Sequence, residues 1–371
     1  MNYWRIIPQV VLGVVVAAML SVSSAQATTY FVKGATGNDT NSGTKPSKPL
    51  KTIGAALNKA VSGDTIKVAA GQYIGPIIIA KNNVSLLGGW NATFSVQSPS
   101  SYPARISAAE FVTEALAFGN TLNSLLDGFF IDGNQLYGYH GITVGSLGSA
   151  RISRNIISSC GNGIVAYGHA ILEANVVQGS NIDGVIVRSP DSSKRTIIAN
   201  NYVHSNGRWG IWVVGYANGS DLMNNIVVNN LVGVSVGYTV QQTGLYNNTI
   251  MNNMDGGVLF AGQSPLDCKN NNIAFNGSYG IRNDGSSSVL GDNNNFHGHT
   301  NDYVNLVALP FDISVDPLVD SGFNLGINSL CVDAGVDLSE VSTYLQRDFN
   351  GDPRTITLGG DGLFDLGAQE Q

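Results

Sequence analysis

Residues 200–214 read NNYVHSNGRWGIWVV, and residues 224–236 read NNIVVNNLVGVSV. Laid one above the other, the two strings share a sequence grammar: Asn, a short apolar pair, a polar turn, then Gly followed by Ile or Val. The same phrase recurs from Arg151 to Phe296, with Asn marks at Asn155, Asn175, Asn201, Asn225, Asn248, Asn272 and Asn295, in steps of 20, 26, 24, 23, 24 and 23 residues. A Gly follows each of the first six, at Gly163, Gly184, Gly210, Gly233, Gly257 and Gly280. A fixed period in this range is the signature of a solenoid whose repeats stack on their neighbours.

The composition of the repeats selects among solenoids. A leucine-rich repeat would need Leu at most core positions and a helical return, whereas here the core letters are Ile and Val. The segments alternate with period two, favour β-branched and aromatic residues, and are punctuated by Gly, Asn and Ser, so they read as short strands and turns. A left-handed β-helix would carry a hexapeptide rhythm, which is missing. The sequence therefore predicts an all-β, right-handed parallel β-helix in which equivalent residues of successive coils lie about 4.8 Å apart. The Asn marks would then form a ladder, each amide bonding the next.

Outside the repeats, "MNYWRIIPQVVLGVVVAAMLSVSSAQA" has one early Arg5, an apolar stretch from Val10 to Leu20 and small residues at Ala25-Gln26-Ala27, the pattern of a secretory signal peptide over residues 1–27. A membrane span would need about 20 apolar residues. Residues 28–63 form an expected N-terminal cap: Ile53, Ala56, Leu57, Ala60 and Val61 share one helical face, with Thr52 as N-cap and Gly63 past the end. The β-helix is expected over 64–309, with about ten coils, and a loop-rich tail over 310–371.

Charge and cysteine content narrow the partners. Only 12% of the 371 residues are charged, and the net charge of -7 lacks the basic stripe that nucleic acid demands. The expected product is a secreted monomer at the cell surface or outside the cell. Three cysteines, Cys160, Cys268 and Cys331, leave at least one unpaired, and Cys160 lies too many coils from Cys268 to bridge.

The segment from Tyr30 to Tyr73, with GNDTNSGT, PLKTI and GDTIKVAAGQY, resembles the N-terminal cap of secreted β-helix proteins that include family nine pectate lyases. The tail, with CVDAG at 331–335, DFNGDPR at 348–354 and DLGAQE at 365–370, is similar to the choice-of-anchor Q domain that ends many bacterial β-helix proteins. These resemblances imply a pectin-lyase-like fold and a polysaccharide partner. The acidic pairs that hold calcium in such lyases have no counterpart here. Asp183 and Asp255 lie three coils apart, about 14 Å, too far to share one ion.

Stacking turns register into columns. The residue before each Gly gives His140, Asn162, Asp183 and Trp209 on successive coils, with Arg208 beside Asp183; four residues past Gly, Tyr167 and Arg188 fall on adjacent coils. Such a set could engage a uronic-acid polysaccharide. Asn162, Tyr167, Trp209 and Trp212 would bind it, Arg188 and Arg208 would meet its carboxylates, and Asp183 or His140 would move a proton, as in a polysaccharide lyase. The structural alternative has Asp183 capping a turn, Arg208 pairing with it and Trp209 covering a strand end. An apolar outward stripe of Ile186, Trp212 and Leu259 is expected to lie under the tail. In the tail, Asp348, Asn350 and Asp352 have the alternate-oxygen spacing of a calcium loop but lack its Gly at position six and Glu at twelve, which favours a turn held by its own side chains. His297 and His299 stand two apart with no third ligand in the sequence.

Overall fold

A computed structural model of the chain describes residues 26–109, 113–134, 138–188, 194–215, 219–238, 241–354 and 364–371. The signal-peptide reading of 1–27 therefore lies almost wholly outside the described residues. Within them run three parallel sheets of eleven, ten and ten strands, and adjacent strands in each come from successive coils. One coil shows the plan. Ser149–Ser153 lies in the first sheet, Ile156–Ser158 in the second and Asn162–Ala166 in the third, before His169–Glu173 returns to the first. The fold is a right-handed parallel β-helix of about ten turns.

The period-two pattern explains the core. Ile152, Ile157 and Ile164 point inward from the three sheets of one coil and stack on Leu172, Val177 and Val185 of the next. All six are buried. Each coil thus adds one layer of aliphatic side chains, the main favourable term in the fold.

The Asn ladder exists, with a shifted frame at its end. Side-chain amides run Asn155 to Asn175, Asn201, Asn225 and Asn248, each Nδ2 donating to the next Oδ1 at 3.0–3.1 Å. From there the chain of bonds passes to Asn271 and Asn294, not to Asn272 and Asn295, and ends on the Asp312 carboxylate. Asn272 and Asn295 instead bond each other outside the ladder at 3.0 Å. The reason lies in the triplets Asn270–Asn272 and Asn293–Asn295: the ladder member must follow a residue with positive φ, and that residue is Asn270 or Asn293. Arg154, Ala174, Asn200, Asn224 and Asn247 occupy the same left-handed position in earlier coils. Asn tolerates that conformation better than most residues, which accounts for the Asn-Asn doublets.

A second ladder stands at the next corner, five residues later. Asn206, Asn230, Asn253 and Asn276 bond in series at 2.9–3.1 Å, and Asn276 N–H donates to His299 Nδ1 at 3.1 Å. This ladder explains the repeated Gly. A Cβ on Gly184, Gly210, Gly233 or Gly257 would come within 2.8–2.9 Å of the neighbouring ladder amide and 2.5–2.8 Å of the next coil's carbonyl.

At the N-terminal end the strand Thr29–Val32 pairs with Thr65–Ala69, one strand earlier than the sequence suggested. The helix Ile53–Lys59 has Thr52 as N-cap, its Oγ1 accepting from Ala55 N–H at 3.1 Å. Ile53, Ala56, Leu57 and Ala60 are buried, but Val61 is 53% exposed because the helix ends before it.

The tail docks on the first two sheets. The left-handed asparagines hold it: Asn224 Nδ2 donates to the carbonyls of Tyr344 and Arg347, Asn247 Nδ2 to that of Asp365, Asn270 Nδ2 to that of Val336, and Asn293 Nδ2 to that of Ala334. Leu338, Leu345 and Phe364 pack on Ala199, Met223 and Tyr246 of the first sheet, and Ala368 packs on the second. The expected cover over Ile186, Trp212 and Leu259 is thus not the tail, because the asparagines that anchor it project from the corner between the first and second sheets. Cys160, Cys268 and Cys331 are all buried free thiols.

Candidate functional site

The margin of the third sheet carries the column drawn from the sequence. His140 pairs in register with Asn162, and the same alignment continues through Asp183 and Trp209 to Val232, Gly256 and Tyr279. Each step is one strand spacing, about 4.8 Å.

At Asp183 the arrangement is closed. The carboxylate is fully buried, and Arg208 from the following coil reaches it with both prongs, Nε to Oδ1 at 2.9 Å and Nη2 to Oδ2 at 2.6 Å. Trp209 N–H adds a third bond to Oδ1 at 3.2 Å. The same guanidinium lies 3.9 Å over the Trp209 ring and 5.3 Å from that of Trp212, and the two indoles are 4.1 Å apart. The bond to Asp183 raises the Arg208 pKa further above its ordinary value. Both oxygens of Asp183 are thus engaged by Arg208 and Trp209 of the following coil.

His140 is half-buried, and its Nδ1 lies 3.2 Å from Asn162 Nδ2. Since the amide is a donor, Nδ1 accepts, which puts the ring proton on Nε2. Burial lowers the His140 pKa, against the opposing pull of Glu114. The neutral imidazole thus offers a donor, not a base, from its second nitrogen.

Tyr167 and Arg188 stand at the other margin of the sheet. Ala166 pairs with Val187, so the two side chains that follow them occupy adjacent rungs, and both are exposed. Among the described residues no carboxylate pairs with Arg188. Five residue steps separate Asp183 from Arg188, about 16 Å of extended backbone. The residues are thus spread over separate columns of the sheet. They make a band across the sheet, with Arg208 and Trp209 at one margin, Trp212 beside Ile186 in the middle, and Tyr167 with Arg188 at the other. Val165, Ile186 and Val214 pack with Trp212, so Ile186 and Trp212 belong to a local apolar cluster and are not bare surface.

In the tail, the calcium-like spacing does not assemble donors. Asp348 is buried, its Oδ1 accepts from Asp352 N–H at 2.8 Å, and its Oδ2 from Glu370 N–H at 3.1 Å. Asp348, Asn350 and Asp352 make a turn. Among the described residues no three His, Cys, Asp or Glu side chains are grouped to hold a metal. His299 ends the second ladder, its Nε2 lying 3.0 Å from the Ile273 carbonyl.

Reading the sequence one column at a time missed the second ladder, although Asn residues five apart (201 and 206, 225 and 230, 248 and 253) signal it. It also missed Gln369 and Phe323, which meet at the tail junction and have no periodic neighbours to mark them.

Comparison with known proteins agrees with the geometry at the level of fold. Residues 168–315 match the family model described as a right handed beta helix region. The chain is similar in structure to a pectate lyase, Pel9A, with a TM-score of 0.54, 15% identity, and 94% of this chain and 97% of that one covered. A rhamnogalacturonan lyase is matched with a TM-score of 0.45 and 14% identity over 90% of this chain and 96% of that one. Identities this low speak to fold alone. No curated protein matches the chain. No helix among the described residues is long and apolar enough to cross a membrane.

Proposed function

We propose that the chain is an exported, monomeric β-helix protein that binds a uronic-acid-containing polysaccharide across the outer face of its third sheet. One observation carries the reading: a fixed pair of indoles, Trp209 and Trp212, shares a sheet face with an exposed guanidinium, Arg188, that no described carboxylate neutralises. Aromatic rings give a sugar ring a flat apolar partner, and a guanidinium matches a carboxylate in two hydrogen bonds. The likeness to a pectate lyase makes pectate the first glycan to try.

Binding is favoured over cleavage. A lyase needs a base and a charge-stabilising group within reach of one sugar unit, and the candidates are spread over about 16 Å with Asp183 spent on Arg208. A second reading, lyase chemistry centred on Arg188, rests on that side chain being exposed and, among the described residues, unpaired by any carboxylate. Isothermal titration with oligogalacturonate and oligoalginate should show saturable binding that weakens about tenfold in Arg188→Ala and in Trp212→Ala. Absence of binding to any uronate would overturn the proposal. An absorbance rise from unsaturated uronide that vanishes in Arg188→Ala would establish the second reading instead.

A further inference from the structure

A crevice of about 340 Å³ opens where the tail meets the second sheet, remote from the third-sheet face. Its lining includes three aromatic rings: Tyr202 comes from the solenoid, and Phe323 and Phe349 from the tail. The rings of Tyr202 and Phe323 are 6.3 Å apart and tilted by 55°. Asn324, Asn350 and Gln369 supply the polar rim. Asn324 is held in place by Asp320, to which its amide donates at 2.9 Å. Gln369 is only 6% exposed, and among the described residues its buried side-chain Oε1 has no hydrogen-bond partner.

The chemistry of the lining is the informative feature. Aromatic rings with a few amides, and no Lys, Arg, Asp or Glu among the lining residues, suit a ligand with an apolar ring face and hydroxyl donors. We infer that the crevice formed by Tyr202, Phe323, Phe349, Asn324, Asn350 and Gln369 is a second glycan site, one that takes an uncharged pyranose unit. It differs from the third-sheet band in chemistry as well as place, since that band presents a guanidinium and this one presents none. A chain bearing both neutral and acidic sugars could then be held on two faces of one rod. The inference does not depend on the third-sheet reading.

The test uses the full chain, titrated calorimetrically with cellohexaose, xylohexaose and mannohexaose, and with trigalacturonate as the acidic control. At least one neutral hexasaccharide should bind saturably. That affinity should fall about tenfold in Phe323→Ala and in Asn350→Ala, the scale of losing one ring or one rim contact, while Arg188→Ala leaves it unchanged. Asn350 is exposed, so its variant decides the matter should Phe323→Ala unfold. No saturable binding of any neutral probe, binding that both crevice variants retain, or binding lost in Arg188→Ala would each overturn the assignment.

Discussion

Arg208 holds the buried carboxylate of Asp183 from the next coil with two hydrogen bonds, at 2.9 and 2.6 Å, while its own guanidinium plane rests 3.9 Å over Trp209. One side chain thereby fixes a carboxylate below it and an indole beside it. The pair ties two coils together at the margin of the third sheet, where the turn would otherwise leave a charge buried and unpaired.

Removing that partner should cost stability before it costs binding. Arg208→Ala strands the Asp183 carboxylate in the protein interior, and because the guanidinium is 42% exposed the penalty should fall below that of a fully buried pair, about 1–3 kcal/mol. Urea unfolding followed by Trp fluorescence measures it. The double variant Arg208→Leu/Asp183→Asn, which leaves no buried charge, should recover part of the loss, and equal stability of the single and double variants would contradict the account.

The frame shift in the Asn ladder gives a paired comparison. Asn271→Ala removes amide bonds to the Leu245 carbonyl and Asn294 Oδ1 and leaves Asn248 N–H without an acceptor, so a loss of about 2–4 kcal/mol is expected. Asn272→Ala touches no ladder bond and should cost about 1 kcal/mol or less. Denaturation midpoints of the two variants settle whether the ladder runs through 271.

Gly210 lies against the second ladder with no room for a side chain. A Cβ there would stand 2.6 Å from Val227 Cγ1 and 2.7 Å from the Gly233 carbonyl, so Gly210→Ala should destabilise by about 1–3 kcal/mol or more despite its higher strand propensity. Gly54, with open space around its Cβ position, should accept Ala with no loss or a slight gain. Thermal melts of the two variants provide the contrast.

The fold was legible because a solenoid writes its cross-section into the sequence once per coil. Ile152, Ile157 and Ile164 announce three inward faces, and the Asn marks announce a corner. What misled was the triplets: with Asn270, Asn271 and Asn272 all present, sequence spacing alone cannot tell which follows the left-handed residue, and only the backbone φ decides. Arg188 and Tyr167 were legible as stacked neighbours for the same reason. Their distance from Asp183 was less so, since a shared column says nothing about how far apart two columns stand. The tail was legible as a loop-rich segment, but the place where it docks was not. It has no period, and its docking depends on Asn224, Asn247, Asn270 and Asn293 facing outward, a direction set by positive φ and not by residue type.

Docking of that tail should vary with pH through Glu370. Its carboxylate accepts from the buried Arg354 guanidinium at 2.6 Å and from Asp365 N–H at 3.3 Å, yet burial outweighs the neighbouring Arg354 and pushes its pKa up to about 7, with Asp365 adding to the rise. Asp348, a third acid at this junction, is bonded to Glu370 N–H, and burial raises the Asp365 pKa as well. A carboxyl whose pKa is higher folded than unfolded stabilises the folded form most below its unfolded value, near 4.5, and the advantage fades as pH rises through about 7. The tail should accordingly be held more firmly at pH 5 than at pH 8, by an amount on the order of 2 kcal/mol. Hydrogen exchange at the Ala368 amide, which donates to Thr249 Oγ1 at 2.9 Å across the junction, reports this opening directly. In Glu370→Gln, where nothing titrates at that position, exchange corrected for its intrinsic pH dependence should be nearly flat between pH 5 and 8. A wild-type tail that instead tightens toward pH 8 would mean that the ion pair with Arg354, and not the burial of Glu370, governs the junction.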